Sequence, residues 1–325
     1  MSEAGDYAPA AWARQTSFRD ARKAYDSDVG RGYASARSKN VSAASLVPDG
    51  IETESTHPMF IRTDVTGSMS GWPNTIFSKM GYLHHELATE YLSEDYAVSF
   101  GAISDVSDSY PLQVRPFASG EGLKENLKPD VLLVTNGGSG PGSYCEAHSV
   151  AALYDIRNAK TPKSIITPPY IIITDEMPYT VTPDDAGYAK VELKRALTAD
   201  KIFEELMAQY AVYVILKPYG GESLTGDRMD SVTQQVYERW KGIVGAERIA
   251  MLPEADRVVD VIFGILAAWS GRIDYFKKEI EERQTKKQVT AVYTALESIH
   301  KLPSGTKSVK KLPPGSSQLR TRKKS

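Results

Sequence analysis

The sequence runs to 325 residues, 41% hydrophobic and 25% charged, with a formal net charge of −2. A chain of that length buries a sizeable core and accommodates one large domain or two small ones. Its single cysteine, Cys145, excludes an internal disulfide framework and a cysteine-rich zinc module and fits a reducing compartment.

The charge is unevenly placed. Residues 301–325 carry eight basic and no acidic side chains, while residues 59–300 hold 24 basic against 33 acidic, a body of −9 beside a +8 tail. An acidic body argues against a nucleic-acid reader and leaves only the tail to touch an anionic surface. Met1 to Arg14 lacks the apolar core of a signal peptide and no stretch reads as a membrane span, so the expectation is a cytoplasmic protein without a membrane partner.

Residues 1–56 are rich in Ala, Ser and Asp, with scattered aromatics such as Tyr7, Trp12 and Phe18. They are expected to form an arm that is flexible alone and orders against the body or a partner. The first strand is expected over Met59–Asp64, apolar enough for a sheet buried on both faces. It ends at the carboxylate Asp64, and hydroxyls follow at every second position: Thr66, Ser68 and Ser70. Gly67 and Gly71 loosen the turn, and a helix start is expected near Trp72 and Pro73. A strand-to-helix turn lined with hard oxygen donors suits Mg²⁺ or a similar ion. The same residue types cap helices, so an N-cap cluster is the alternative.

A helix is expected from about Asn74 to Ser93, with Ile76, Met80, Leu83, Leu87 and Tyr91 on one face. His84 and His85 do not complete a zinc pattern, because Thr89 stands where a second histidine ligand would fall, and both read as structural. Tyr96–Ala102 is the second strand, and Pro111–Phe117 its hairpin partner at the sheet edge. Thr135–Ser143 is a Gly-rich loop before a helix from about Tyr144 to Arg157. It lacks the lysine of a phosphate-binding loop and the third glycine of a dinucleotide fingerprint, where Ser143 stands instead, and therefore does not read as a nucleotide site.

Pro169–Asp175 is the sharpest strand and delivers Asp175 to its C-terminal end, the rim on which ligands sit in open parallel sheets. Glu176 follows it, and the loop Pro178–Tyr188 is expected to bring Asp184 and Asp185 to the same rim. Then come a helix over Val191–Gln209, a strand over Ala211–Lys217, a helix over Asp227–Lys241, a strand over Arg248–Leu252 and a helix over Glu254–Trp269. Asp274–His300 reads as more helix, rich in charge, and the Pro, Gly, Ser and Lys composition from Pro303 onward as a flexible tail. Strands alternating with helices over residues 59–270 call for an α/β fold with a mostly parallel central sheet covered on both faces.

The segment Asp64-Val65-Thr66-Gly67-Ser68, at the end of the first strand of such a sheet, resembles the metal-ion-dependent adhesion site of von Willebrand factor type A domains. That family's pattern is Asp-x-Ser-x-Ser, met here by Asp64, Thr66 and Ser68. The resemblance implies a Rossmann-like, doubly wound domain over residues 57–270 and does not reach the two ends, where the sequence itself reads as a helical extension at 271–302 and a basic tail at 303–325. It implies a last ligand at Asp175 and an oxygen donor from the Gly-rich loop, where Ser139 and Ser143 remain alternatives. It further implies a divalent cation, Mg²⁺ or else Mn²⁺ or Ca²⁺, completed by an Asp or Glu of another protein. The implied role is docking rather than catalysis, as an adaptor or assembly component. The partners implied are an AAA+ ATPase of the MoxR type or a phage or bacterial assembly. The enzyme alternative is a Mg²⁺-dependent, phosphatase-like hydrolase with Asp64 as nucleophile, which requires a second acid where Thr66 stands.

Overall fold

The computed structural model describes residues 43–69, 72, 75–76, 79–108, 110–120, 122–123, 146–162, 166–220 and 229–299. The chain is a mixed α/β structure built on a six-stranded, mostly parallel sheet. Strand β1 (Ile51–Glu52) pairs separately with β5 (Ala159–Lys160). The main sheet contains β2 (His57–Asp64), β3 (Tyr96–Ile103), β4 (Leu112–Val114), β6 (Pro169–Thr174), β7 (Ala211–Leu216) and β8 (Ile249–Met251), in the spatial order β4-β3-β2-β6-β7-β8. All its neighbours run parallel except the β3–β4 hairpin, which forms one edge as its turn residues lead one to expect.

The continuous apolar runs behave as buried strands must. Along β2, Met59 and Ile61 enter one core while Phe60 enters the other, because successive side chains point to opposite faces. On the Met59 face lie α1 (Met80–Glu86), α5 (Val258–Ser270), α6 (Ile273–Arg283) and α7 (Lys286–Leu296). On the Phe60 face lie α2 (His148–Asn158), α3 (Ala199–Gln209) and α4 (Ser231–Val244). Among the described residues no helix is long and apolar enough to cross a membrane.

One polar network is embedded in this apolar setting. Arg62, in the middle of β2 and fully buried, donates to Asp155 of α2 through Nε at 2.8 Å and Nη2 at 2.6 Å. Its remaining donors reach Ser99 O at 2.8 Å and Ser99 Oγ at 3.1 Å, and Tyr170 OH donates to Asp155 Oδ2 at 2.8 Å. The pair, bidentate and fully hydrogen-bonded, ties the C-terminal half of α2 to the central strand.

Several expected boundaries move, each for a local reason. The helix expected from Val191 begins at Ala199, because Leu197 exchanges backbone hydrogen bonds with Val181 and Thr198 caps the first turn. The further helix expected over Asp274–His300 is present as α6 and α7, divided where Thr285 and Gln288 form a capping box that starts α7 afresh. The helix carrying Leu83, Leu87 and Tyr91 continues past α1 as a π-helical turn, Leu87–Tyr91. The packed body also extends beyond residues 57–270: Leu46, Val47 and Ile51 are buried before it, and Phe276, Ile280, Val292 and Leu296 after it. The rest of the 1–56 arm and the 303–325 tail lie outside the described residues.

Candidate metal centre

Two parallel neighbouring strands, β2 and β6, frame the site. From β2 the chain moves to β3 on one side and later returns to β6 on the other, so the order reverses between β2 and β6. A crevice opens at such a reversal, outside the carboxyl ends of the strands, and in α/β sheets it is where ligands bind. Asp64 is the last residue of β2 and Asp175 the first beyond β6.

Asp64 is completely buried, and its Oδ1 accepts from both Thr66 N and Thr66 Oγ1, each at 2.7 Å. That local turn follows from the two-residue spacing, since an Asp side chain readily accepts from the backbone two positions on. It leaves Asp64 Oδ2 buried with no hydrogen-bond partner among the described residues. Asp175 is also fully buried; its Oδ2 accepts from Lys217 Nζ at 2.8 Å while its Oδ1 has no such partner. Lys217 Nζ donates as well to the backbone carbonyl of Ser68, at 3.1 Å, so one ammonium joins the hydroxyl turn to the second carboxylate.

More acids surround this pair. Asp105, Glu146 and Glu176 are all buried. Burial, reinforced by Asp175 and Glu176 and opposed by the Thr66 hydrogen bonds, holds the Asp64 carboxyl well above the usual carboxylate range. Burial and then the charge of Asp64, followed by Glu176, Asp105 and Asp175, push Glu146 up to about 11. The Tyr219 hydroxyl donates to Glu176 Oε1, and the Trp240 indole donates to the Glu176 carbonyl at 2.8 Å. His148, at the start of α2, shares a 2.9 Å hydrogen bond with Thr174 Oγ1, and burial depresses its pKa to about 3, so the ring is neutral.

The sequence-derived ligands are therefore placed unequally. Asp64, Thr66 and Asp175 come together around the β2–β6 crevice. Ser68 lies at its mouth with an exposed side chain, and its carbonyl is held by Lys217. Ser70, Ser139 and Ser143 lie outside the described residues. Asp185 does not join the cluster; its carboxylate accepts from Thr182 N and Oγ1 in a capping box. Asp184, beside it on that short helix, is exposed. Sequence reasoning missed Glu146 and Lys217, whose only signals were a buried-looking acid at a helix start and a lysine closing an apolar strand.

A divalent cation fits the donor set. Buried carboxylate oxygens without donors are costly unless protonated or matched by positive charge. Asp64 Oδ2 and Asp175 Oδ1 are two such oxygens, and Thr66 and Ser68 add the neutral oxygen ligands that a hard cation accepts. Among the described residues no three His, Cys, Asp or Glu side chains are arranged to hold an ion by themselves.

No protein-family model matches the chain, and no curated protein matches it. Among solved structures it is similar to the pilus adhesin SpaC from Lactobacillus rhamnosus GG, with a TM-score of 0.45 and 9% identity over 71% of this chain and 32% of that one. The open conformation of the same adhesin gives a TM-score of 0.43 and 8% identity, covering 71% and 31%. Proximal thread matrix protein 1 from the mussel byssus gives 0.40 and 12%, covering 69% and 48%. The chain thus spans less than half the length of each of these proteins.

Proposed function

We propose that this chain is a metal-dependent protein-interaction module of the von Willebrand factor type A kind, with a Rossmann-like, doubly wound sheet and a metal-ion-dependent adhesion site at its β2–β6 crevice. The observation that carries the reading is the pair of buried, donor-free oxygens, Asp64 Oδ2 and Asp175 Oδ1, on strands either side of the topological reversal.

In this reading Asp64 and Asp175 hold Mg²⁺, Mn²⁺ or Ca²⁺ directly or through water, with the Thr66 and Ser68 hydroxyls as neutral ligands. The bound ion supplies residual positive charge, because few carboxylates touch it, and so attracts an Asp or Glu of a partner protein. Thr66 keeps Asp64 in one orientation through its two hydrogen bonds to Oδ1. Lys217 occupies Asp175 Oδ2 and the Ser68 carbonyl, and its ammonium competes with the cation for that carboxylate. The partner class, an AAA+ ATPase of the MoxR type or a phage or bacterial assembly, rests on the resemblance of the Asp64–Ser68 motif alone.

The test couples stability to docking. Mg²⁺ at a hundred times its dissociation constant stabilises the folded chain by about 2.7 kcal/mol, and Asp64→Asn removes that stabilisation. A pull-down with wild type and Asp64→Ala, in Mg²⁺ and in EDTA, should retain the partner only with wild type in Mg²⁺. Identical retention in all four conditions refutes metal-bridged docking.

A further inference from the structure

Glu146 is, with Asp105 and Glu176, a buried acid that the adhesion-site pattern does not use. Two backbone bridges fix it, one antiparallel to Asp105 just beyond β3 and one parallel to Pro178 just beyond β6. Since β3 and β6 are the two neighbours of β2, a residue tied to both lies across the C-terminal end of β2, where Asp64 stands. Ala147 N strengthens the clamp by donating to Ser104 O at 3.0 Å. The Glu146 side chain is inside this arch, 1% exposed, and its Oε2 has no hydrogen-bond partner among the described residues. Asp64 is its strongest charged neighbour, ahead of Glu176, Asp105 and Asp175.

A purely structural residue at this point has no reason to be an acid. A glutamine of the same shape fills the same space without adding a carboxyl to four others, and an acid here must either stay protonated or meet a cation, the second being the state in which its acidity has a use. In this reading Glu146 acts from one shell out, on a water or hydroxyl that itself touches the ion. We propose that Glu146 is the third acidic corner of the cation site, acting through a coordinated water and taking the role that the motif assigned to Ser139 or Ser143. This rests on the reading of Asp64 and Asp175 as the residues that hold the ion.

The experiment uses the full chain as wild type, Glu146→Gln and Asp64→Asn. Mn²⁺ binding is followed by electron paramagnetic resonance, and melting is measured in EDTA and in Mn²⁺. Glu146→Gln should weaken Mn²⁺ binding by about 10- to 100-fold, the usual effect of removing an outer carboxylate. In EDTA it should melt at or above the wild-type temperature, because one buried acid has gone, while the Mn²⁺-induced rise shrinks. Those opposite shifts cannot come from a damaged fold. Unchanged Mn²⁺ affinity in Glu146→Gln, with binding lost in Asp64→Asn, overturns the role of Glu146 and leaves the Asp64–Asp175 site standing. A lowered melting point in EDTA for Glu146→Gln shows a structural residue and also overturns it. Failure of wild type to bind Mn²⁺, or wild-type binding by Asp64→Asn, overturns both readings together.

Discussion

Removing the Asp155 carboxylate tests the polar network that places α2 behind the rim. In wild type that carboxylate accepts three hydrogen bonds, two from Arg62 and one from Tyr170, at 2.6 to 2.8 Å. Asp155→Ala leaves a fully buried guanidinium held only by neutral acceptors such as the Ser99 carbonyl and hydroxyl, and strands the Tyr170 hydroxyl. Breaking a buried pair from one side costs about 3 to 5 kcal/mol, since the surviving charge is uncompensated. At about 2 to 4 °C per kcal/mol for a body of this size, the melting point should fall by roughly 6 to 20 °C. The surface pair Arg157–Glu205 supplies the contrast: its 2.6 Å contact is as short, but its side chains are 42% and 43% exposed. Glu205→Ala should therefore cost less than about 1 kcal/mol. Calorimetric melts and urea titrations of both variants check the difference. If Asp155→Ala costs no more than Glu205→Ala, burial is not what gives the Arg62–Asp155 pair its weight, and the reasoning fails.

Three further outcomes follow from the same geometry. Lys217→Met removes the ammonium that occupies Asp175 Oδ2 and the Ser68 carbonyl, so Mg²⁺ or Mn²⁺ affinity should rise by calorimetric titration; a fall shows that Lys217 supports the ion instead of competing with it. Gly101→Ala should destabilise by about 1 to 3 kcal/mol in urea titrations, because the added methyl meets Arg62 Cδ at 2.7 Å and the Gln113 backbone oxygen at 2.9 Å; wild-type stability shows that the β3–β4 pairing relaxes freely. In EDTA, stability should fall as pH rises from about 7.5 to 9, above the range in which His57, His84, His85 and His148, whose pKa values burial lowers, add stability with rising pH. Glu146, Asp64 and Glu86 have folded pKa values raised by burial, so the folded chain keeps protons that the unfolded chain gives up above its own carboxyl pKa. Each such proton contributes at most about 1.4 kcal/mol per pH unit, fully present below the unfolded value and lost towards the folded one. Melts across this range check the sign, and a melting point that climbs with pH refutes it.

The strand ends were legible in sequence because their signals are local. Continuous apolar runs closing on an acid, at Phe60–Asp64 and Tyr170–Asp175, mark buried strands that deliver carboxylates, and both strands are where the pattern places them. The Asp64–Thr66 turn was equally legible, since its hydrogen bonds span two residues. Boundaries set by distant partners were not. Nothing near Val191 announces that Leu197 will pair with Val181. Asp184 and Asp185 looked like rim acids because a loop after a strand usually stays near it, but Asp185 caps its own short helix instead.

The sequence by itself determined the two kinds of fact that reach only a few residues along the chain: which segments are strands and helices, and which side chains Asp64 and Thr66 offer at one turn. Only the tertiary structure decided which acids stand together. Asp105, Glu146 and Lys217 are separated along the chain by whole helices and strands, and they meet the Asp64–Asp175 pair because the sheet order reverses between β2 and β6. The physical reason is that electrostatic coupling depends on distance through space and on exclusion of water, and neither is written in sequence spacing.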